Sequence, residues 1–249
     1  MVLLNAGLLK SGVYLNLHSV PELHSPIERV NGSIRLSALT TYAESRRHPE
    51  IRRILPMLPR AAREIGAIQI QSRGTWAGNI VNASPAADGV PALMAYDASI
   101  DLASSAATRC VSLADFYRGY KQMDRRPDEL ITAIRVPIPN PGTREYYRKV
   151  GTRKFQAISK VLLAGVLQLG TDRRIEHVRL VYASVMPTTY RARKTEEVLL
   201  GQELTPGLAR RAVESVREEL NPITDIRSTA SYRLSVACNL LRDFLEPAV

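Results

Sequence analysis

No stretch constrains this chain more than Pro137-Ile-Pro-Asn-Pro-Gly142. Proline has no amide hydrogen and a locked φ, so alternating prolines can neither continue a helix nor sit in the middle of a sheet. Each also pushes the residue before it into an extended conformation. The apolar run Leu130 to Val136 therefore reads as a strand that must stop here, and Gly142 finishes the turn. A domain boundary is expected at this point, dividing residues 1–142 from 143–249. With 249 residues, 45% of them hydrophobic, the two parts together can bury sizeable cores.

Periodicity on either side points to an α+β fold. In the first part, Val13 to Leu17 reads as a short strand, and Ile27–Val30 and Ser33–Ala38 flank Asn31-Gly32, a two-residue hairpin signal. Thr41-x-x-Glu44 is a capping box, and Pro49, Pro56 and Pro59 are expected to cut the following helical region into short pieces ending near Ile65. Val90 to Tyr96 predicts a short helix, and Ser99–Leu102 with Arg109–Leu113 a second hairpin. Past the boundary come three strand-like runs, Tyr146–Val150, Ile158–Leu169 and His177–Val185. Thr205-Pro206 then opens a helix with Leu208, Ala212, Val216 and Leu220 on one stripe. A last helix from about Ser228 to Leu245 carries Leu234, Ala237, Leu241 and Leu245.

Charge and side-chain chemistry narrow the function. The net charge of +10 favours acidic partners: nucleic acid, a phosphate-bearing cofactor or an acidic subunit. Arg46, Arg53 and Arg60 recur every seven residues and predict one arginine-lined helical face. No aromatic residues interleave to stack on bases, which favours a solvated face, with an RNA- or anion-binding module as an alternative. Cys110, Cys238 and four scattered histidines predict no metal site, and no general acid or nucleophile stands out. Redox chemistry would then need an organic cofactor or a partner chain. No apolar run reaches the roughly 20 residues of a membrane span, and the start at Met1 lacks a basic leader, so a cytoplasmic protein is expected.

From Gln69 to Asp88 the residues are mostly small and polar, and a loop is expected. Gly74, Thr75, Ala77 and Gly78 let backbone approach a ligand closely. Thr75, Asn79, Asn82 and Ser84 supply side-chain donors, and Asp88 an acceptor for a sugar hydroxyl. This set suits a sugar–pyrophosphate better than a bare phosphate. It is neither GxGxxG after a strand nor GxxxxGK[ST]. A turn rich in Gly, Asn and Ser also serves as a plain connection, so these residues alone leave both readings open.

Gly74-Thr-Trp-Ala-Gly-Asn-Ile-Val-Asn-Ala-Ser-Pro-Ala-Ala-Asp88 resembles the second flavin-binding loop of the flavoprotein subunits of molybdenum hydroxylases, the xanthine and carbon monoxide dehydrogenase family, approximately T-x-G-G-N-x-x-x-A-S-P-x-x-D. The resemblance continues in order through Leu39–Glu44, Pro127–Pro137, Arg148–Arg153 with Ala157–Lys160, and Asp225–Thr229 with Tyr232-Arg233. It implies an FAD-binding domain of the vanillyl-alcohol-oxidase (PCMH-like) type over 1–142 and a smaller sheet-and-helix domain over 143–249. Thr75, Gly78, Asn79, Asn82, Ser84 and Asp88 would hold the ribityl–pyrophosphate–ribose part of FAD. Ile65 and Gly66 would approach it at the helix exit, Ile131 from the late strand and Lys149 from just past the boundary. The implied partners are a molybdopterin-binding large subunit and a [2Fe-2S] small subunit in a hetero-oligomer, with electrons leaving FAD for NAD, a quinone or oxygen.

The sequence departs from this pattern in places. The family's first flavin loop, approximately A-G-G-T-D, precedes the helix that Val2–Leu8 resembles, and the sequence starts inside that helix. A chain without that loop is expected to hold the diphosphate from one side only. Ala77 stands where the family has glycine, and Trp76 where it has a small aliphatic residue. The alternative to an FAD-binding oxidoreductase subunit is therefore a non-catalytic structural subunit with an empty flavin site.

Overall fold

The computed structural model describes residues 7–8, 12–154 and 156–246. The expected helix through Val2–Leu8 falls largely outside these residues. A five-stranded antiparallel sheet in the order β1-β2-β7-β3-β4 organises the first part: β1 (Glu28–Val30), β2 (Ser33–Ser37), β3 (Ser99–Ala103), β4 (Thr108–Ser112) and β7 (Leu130–Pro137). Asn31 and Gly32 both take positive φ between β1 and β2, the geometry the hairpin signal requires. The expected hairpin of β3 and β4 also forms. Between β4 and β7 lies a small hairpin that the sequence did not announce, β5 (Tyr117–Gly119) with β6 (Gln122–Met123).

Among the described residues six α-helices join this sheet: α1 (Tyr42–Arg47), α2 (Pro49–Ile54), α3 (Met57–Glu64), α4 (Ile68–Arg73), α5 (Trp76–Asn82) and α6 (Gly89–Ala95). The capping box closes both ways, the Thr41 amide donating to Glu44 Oε2 at 2.6 Å and the Glu44 amide to Thr41 Oγ1 at 3.2 Å. Pro49 starts α2 and Pro56 precedes α3, but Pro59 cuts nothing. It lies in the first turn of α3, where the missing amide hydrogen would have had no intrahelical acceptor. Arg46, Arg53 and Arg60 consequently fall on α1, α2 and α3, so the single arginine face is not formed. Val13 to Leu17 is not a strand either: Val13 and Leu15 are exposed, and among the described residues no strand is paired with this segment.

The second part is a four-stranded antiparallel sheet in the order β11-β10-β9-β8: β8 (Arg144–Val150), β9 (Val161–Leu169), β10 (Ile175–Ala183) and β11 (Tyr190–Arg191). Three helices follow or flank it, α7 (Arg193–Leu199), α8 (Pro206–Glu219) and α9 (Ala230–Leu245). Strand β9 is apolar at nearly every position because both its faces are covered. Val161, Leu163 and Leu167 pack with Leu208, Ala212, Val216 and Leu241 of α8 and α9. Leu162, Ala164 and Val166 belong instead to the core of the first part, with Ile34, Leu36, Ile134, Leu58 and Leu93. Gly165 has no room for a side chain, since a Cβ there would come within 2.7 Å of the Phe244 ring. Helix α6, buried along its whole length, packs against β9 and β10 and so lies at the junction. That position explains an apolar helix with no polar face.

Candidate functional site

The segment expected to be a loop, Gln69 to Asp88, is mostly helical: α4, a break at Gly74 and Thr75, then α5. Two things override its small, polar composition. The Thr75 hydroxyl accepts the Gly78 amide at 2.9 Å, an N-cap that starts α5. Trp76, Ala77 and Ile80 then form a buried face that packing holds in place. Trp76 is core rather than a cover: its indole N–H donates to Ser45 Oγ at 2.7 Å and its ring meets Tyr42 edge-on at 5.0 Å. The Tyr42 amide also donates to the Gly74 carbonyl, and the Trp76 amide to that of Thr40. A Cβ at Gly74 would strike the Ile70 carbonyl and the Tyr42 ring, and one at Gly78 would press on the capping Thr75 hydroxyl. Ala77 sits inside α5 at ordinary φ, so the methyl replacing glycine causes no backbone strain.

Helix α5 ends at Ala83 in the left-handed region, and Ser84–Ala87 lead to Asp88. Asp88 is the hub of the site. Its Oδ2 accepts the Lys149 ammonium at 2.7 Å, and Lys149 donates again to the Glu64 carbonyl at 3.1 Å. The Lys149 side chain is only 5% exposed, so it is not a solvated lysine. The Tyr147 hydroxyl, two residues earlier on the same face of β8, donates to the Asp88 carbonyl at 3.0 Å. Burial pushes the Asp88 carboxyl up to about 6 against the opposing pull of Lys149, with Glu64 nearby adding to the rise. Glu64 is also raised by burial, and Tyr147 lies well above the ordinary phenol range for the same reason.

Two oxygens here are buried without a hydrogen-bond partner, Asp88 Oδ1 and Asn79 Oδ1. Unpartnered buried acceptors are costly, and in a native fold they mark places where a ligand or water completes the bonding. Gly89 keeps the space open: a Cβ there would come within 2.8 Å of Asn79 Oδ1 and 3.3 Å of Ile65. Beside Asp88 lies a cavity of about 850 Å³ between the two parts of the molecule. Gly66, Ser84 and Asp88 line it from one side, and Ser159, Ser184 and Arg233 from the other. Ser159 Oγ, Ser184 Oγ and Arg233 Nε are likewise buried and unpartnered. These acceptors and donors together suit a polar ligand bearing both hydroxyls and acceptor atoms, as the ribityl and diphosphate parts of FAD do.

The structure thus brings Ile65, Asn79, Asp88 and Lys149 together, and sets Gly66 and Ser84 on the cavity with Asp88. Gly66 takes φ +55, and a Cβ there would also press on Ile70. Thr75 and Gly78 stand one turn away, joined by the cap. Asn82 lends its carbonyl to the Lys121 ammonium and does not line the cavity. Ile131 is buried on β7 opposite Leu102 and does not line the cavity. Sequence reasoning missed Gly89, Tyr147 and the trio Ser159, Ser184 and Arg233. Tyr147 carried a signal, since it shares the Lys149 face by strand alternation; Ser159 and Arg233 lie within segments that carry the family resemblance, but nothing local brings them to Ser184, because three separate elements supply the trio.

Two family models match the chain. One, described as the FAD binding domain in molybdopterin dehydrogenase, matches residues 1–139. The other, the CO dehydrogenase flavoprotein C-terminal domain, matches residues 145–248. The chain is 31% identical to the glyceraldehyde dehydrogenase medium chain of Sulfolobus acidocaldarius, covering 94% of this chain and 82% of that one. It is 29% identical to the nicotine 6-hydroxylase medium subunit of Paenarthrobacter nicotinovorans over 94% and 81%. Among solved structures, carbon monoxide dehydrogenase from Hydrogenophaga pseudoflava superposes with a TM-score of 0.85 at 26% identity, covering 90% of this chain and 77% of that one. The α+β architecture, a flavin-binding domain with a smaller sheet-and-helix domain, is therefore that of the carbon monoxide dehydrogenase flavoproteins. With its buried acceptor pair at Asn79 and Asp88 and matches along nearly its whole length, the chain belongs to the FAD-binding flavoprotein subunits of the molybdenum-hydroxylase dehydrogenases.

Proposed function

We propose that this chain holds FAD with Ile65, Gly66, Thr75, Gly78, Asn79, Ser84, Asp88 and Lys149, with Asn82 and Ile131, which do not line the cavity, supporting the site from behind it. In this reading it passes electrons from a molybdopterin-binding large subunit and a [2Fe-2S] small subunit to an acceptor such as NAD or a quinone. The observation that carries the reading is a pair of buried, unpartnered acceptors, Asp88 Oδ1 on the wall of a cavity between the two parts and Asn79 Oδ1 close to Gly89, the residue that follows Asp88. Asp88 and Asn79 accept from the ligand's hydroxyls, Lys149 keeps the Asp88 carboxylate oriented, and the buried walls exclude water. FAD, when bound, supplies the redox chemistry that no side chain here provides. The division into 1–142 and 143–249 belongs to the same proposal, with the cavity lying between the two units. The free thiols of Cys110 and Cys238 suit a reducing compartment, the cytoplasm.

A non-catalytic structural subunit is the second reading. It is favoured by the Lys149–Asp88 ion pair, which is complete without any ligand. Titration of the full chain with FAD, followed by calorimetry and flavin fluorescence quenching, separates the two. Binding is expected for the parent. Asn79→Ala and Asp88→Ala should each weaken it by about tenfold to a hundredfold, one hydrogen bond to a buried group apiece, with unchanged circular dichroism. Gly78→Asp should abolish binding, since its side chain displaces the Thr75 cap and brings negative charge to the diphosphate. A parent that gives no heat and no quenching establishes the structural reading; a parent that binds alongside three equally tight variants removes the residue assignment.

A further inference from the structure

Two of the arginines that do not share a helix face nevertheless meet. Arg53 of α2 and Arg60 of α3 stand with Arg29 of β1 around an open depression of about 550 Å³ beside the proline-rich linker. All three side chains are exposed, and among the described residues none of them makes a hydrogen bond or ion pair. The floor between them is apolar and half-buried, formed by Ile54, Pro56, Ile138 and Pro139. The one carboxylate at the depression, Glu145, is held by the Tyr96 hydroxyl and the Met57 amide; it forms no ion pair within 4 Å with the rim, and of the rim cations only Arg60 acts on its charge. Among the described residues Arg29 and Arg53 thus carry no counter-charge of their own, and Arg60 faces Glu145 only beyond ion-pair distance.

We propose that this surface docks a carboxylate-rich face of a companion subunit, a reading that rests on the hetero-oligomer of the proposed function. An apolar floor ringed by arginine is the composition of a protein interface, where arginine is enriched and its planar donors pair with carboxylates. A second copy of this chain does not fit, because each copy carries +10 and would repel the other. A small phosphate ligand does not fit either: no buried, unpartnered donor lies on the floor, unlike in the cavity beside Asp88. A nucleic acid lacks a stacking platform, since no aromatic side chain lines the depression.

The test uses the complex co-expressed with its molybdopterin-binding and iron–sulfur companions. The variants are Arg29→Glu/Arg53→Glu/Arg60→Glu and the milder Arg29→Gln/Arg53→Gln/Arg60→Gln, all at exposed positions outside the cofactor site. Each is compared with the parent for subunit dissociation against salt, flavin content and thermal melting. The glutamate variant should dissociate at about tenfold lower protein dilution than the parent, and the glutamine variant should fall between them, with flavin content and melting unchanged. The parent should also lose affinity as salt rises, and the glutamate variant should lose less, having no attraction left to screen. If the parent assembles and both variants assemble as tightly, the docking surface is refuted while the functional reading stands. If the parent itself does not assemble, both fall. Loss confined to binding of a poly-uridine probe, with the complex intact, would also overturn it.

Discussion

At the scale of single residues, Asp88 makes the sharpest predictions. Its carboxyl is raised to about 6 in the folded chain, above the ordinary value of 3.8, because burial outweighs Lys149. Between those values the folded chain binds more protons than the unfolded one. The contribution to stability is therefore fully present below the unfolded value and is lost as pH rises through about 6. The ligand-free chain should gain stability from this group as pH falls from above 6 towards 4. Asp88→Asn should remove that gain, read as the difference in urea midpoints between parent and variant across the range. Flavin retention should run the opposite way. Protonation takes away an acceptor, so the parent should release FAD more readily below about pH 6, and Asp88→Asn should release it with a flatter profile. If parent and variant share the same pH dependence in both measurements, Asp88 is not the titrating group.

At the scale of elements, α5 shows how a local device decides between loop and helix. Its glycine and asparagine content argued for a loop, and propensity alone would have kept it one. The Thr75 cap and the buried Trp76, Ala77 and Ile80 face outweigh that preference. Thr75→Ala should cost about 1 kcal/mol in a denaturant titration. It should also leave the Trp76 environment intact, since the indole bond to Ser45 and the Tyr42 contact do not pass through Thr75. A shifted tryptophan emission in that variant would mean the cap, not packing, places α5. The short helices α1 and α2 were legible because a capping box and a proline at the first turn are local signals. Strand Val13–Leu17 was misread because alternation states only that a segment could pair, not that a partner strand is present.

At the scale of the whole molecule, the two parts are tied together by Asp97, at φ +55 just after α6. Its carboxylate accepts Arg179 Nε of β10 at 2.7 Å and lies 3.4 Å from Arg191 Nη1 of β11 and 3.7 Å from His177 Nε2. Burial and the neighbouring Arg179 hold His177 below the usual imidazole range, so this histidine adds little positive charge to the cluster at neutral pH. Asp97→Ala should cost on the order of 1–3 kcal/mol, the range for hydrogen bonds to charged groups, since Arg179 loses its carboxylate while Arg191 keeps Glu196. A denaturant titration checks this. A variant as stable as the parent would show that the apolar contact of α6 with β9 and β10 joins the parts unaided.

The sequence by itself determined the periods, the caps and the breaks. The prolines at 137, 139 and 141 end β7, Asn31-Gly32 turns β1 into β2, and the stripes of α8 and α9 lie on the core. It also determined the chemistry of the segment from Thr75 to Asp88, because small residues and one carboxylate are readable wherever they sit. Only the tertiary structure decided that Lys149 pairs with Asp88 across the junction, and that Ser159, Ser184 and Arg233 share a cavity with Ser84. It alone gathered Arg29, Arg53 and Arg60 around one depression. Local signals reach no further than the next turn of chain, whereas these groups meet because α6 is buried between the second sheet and helices α3 and α5 of the first part, and the separation along the chain ceases to matter.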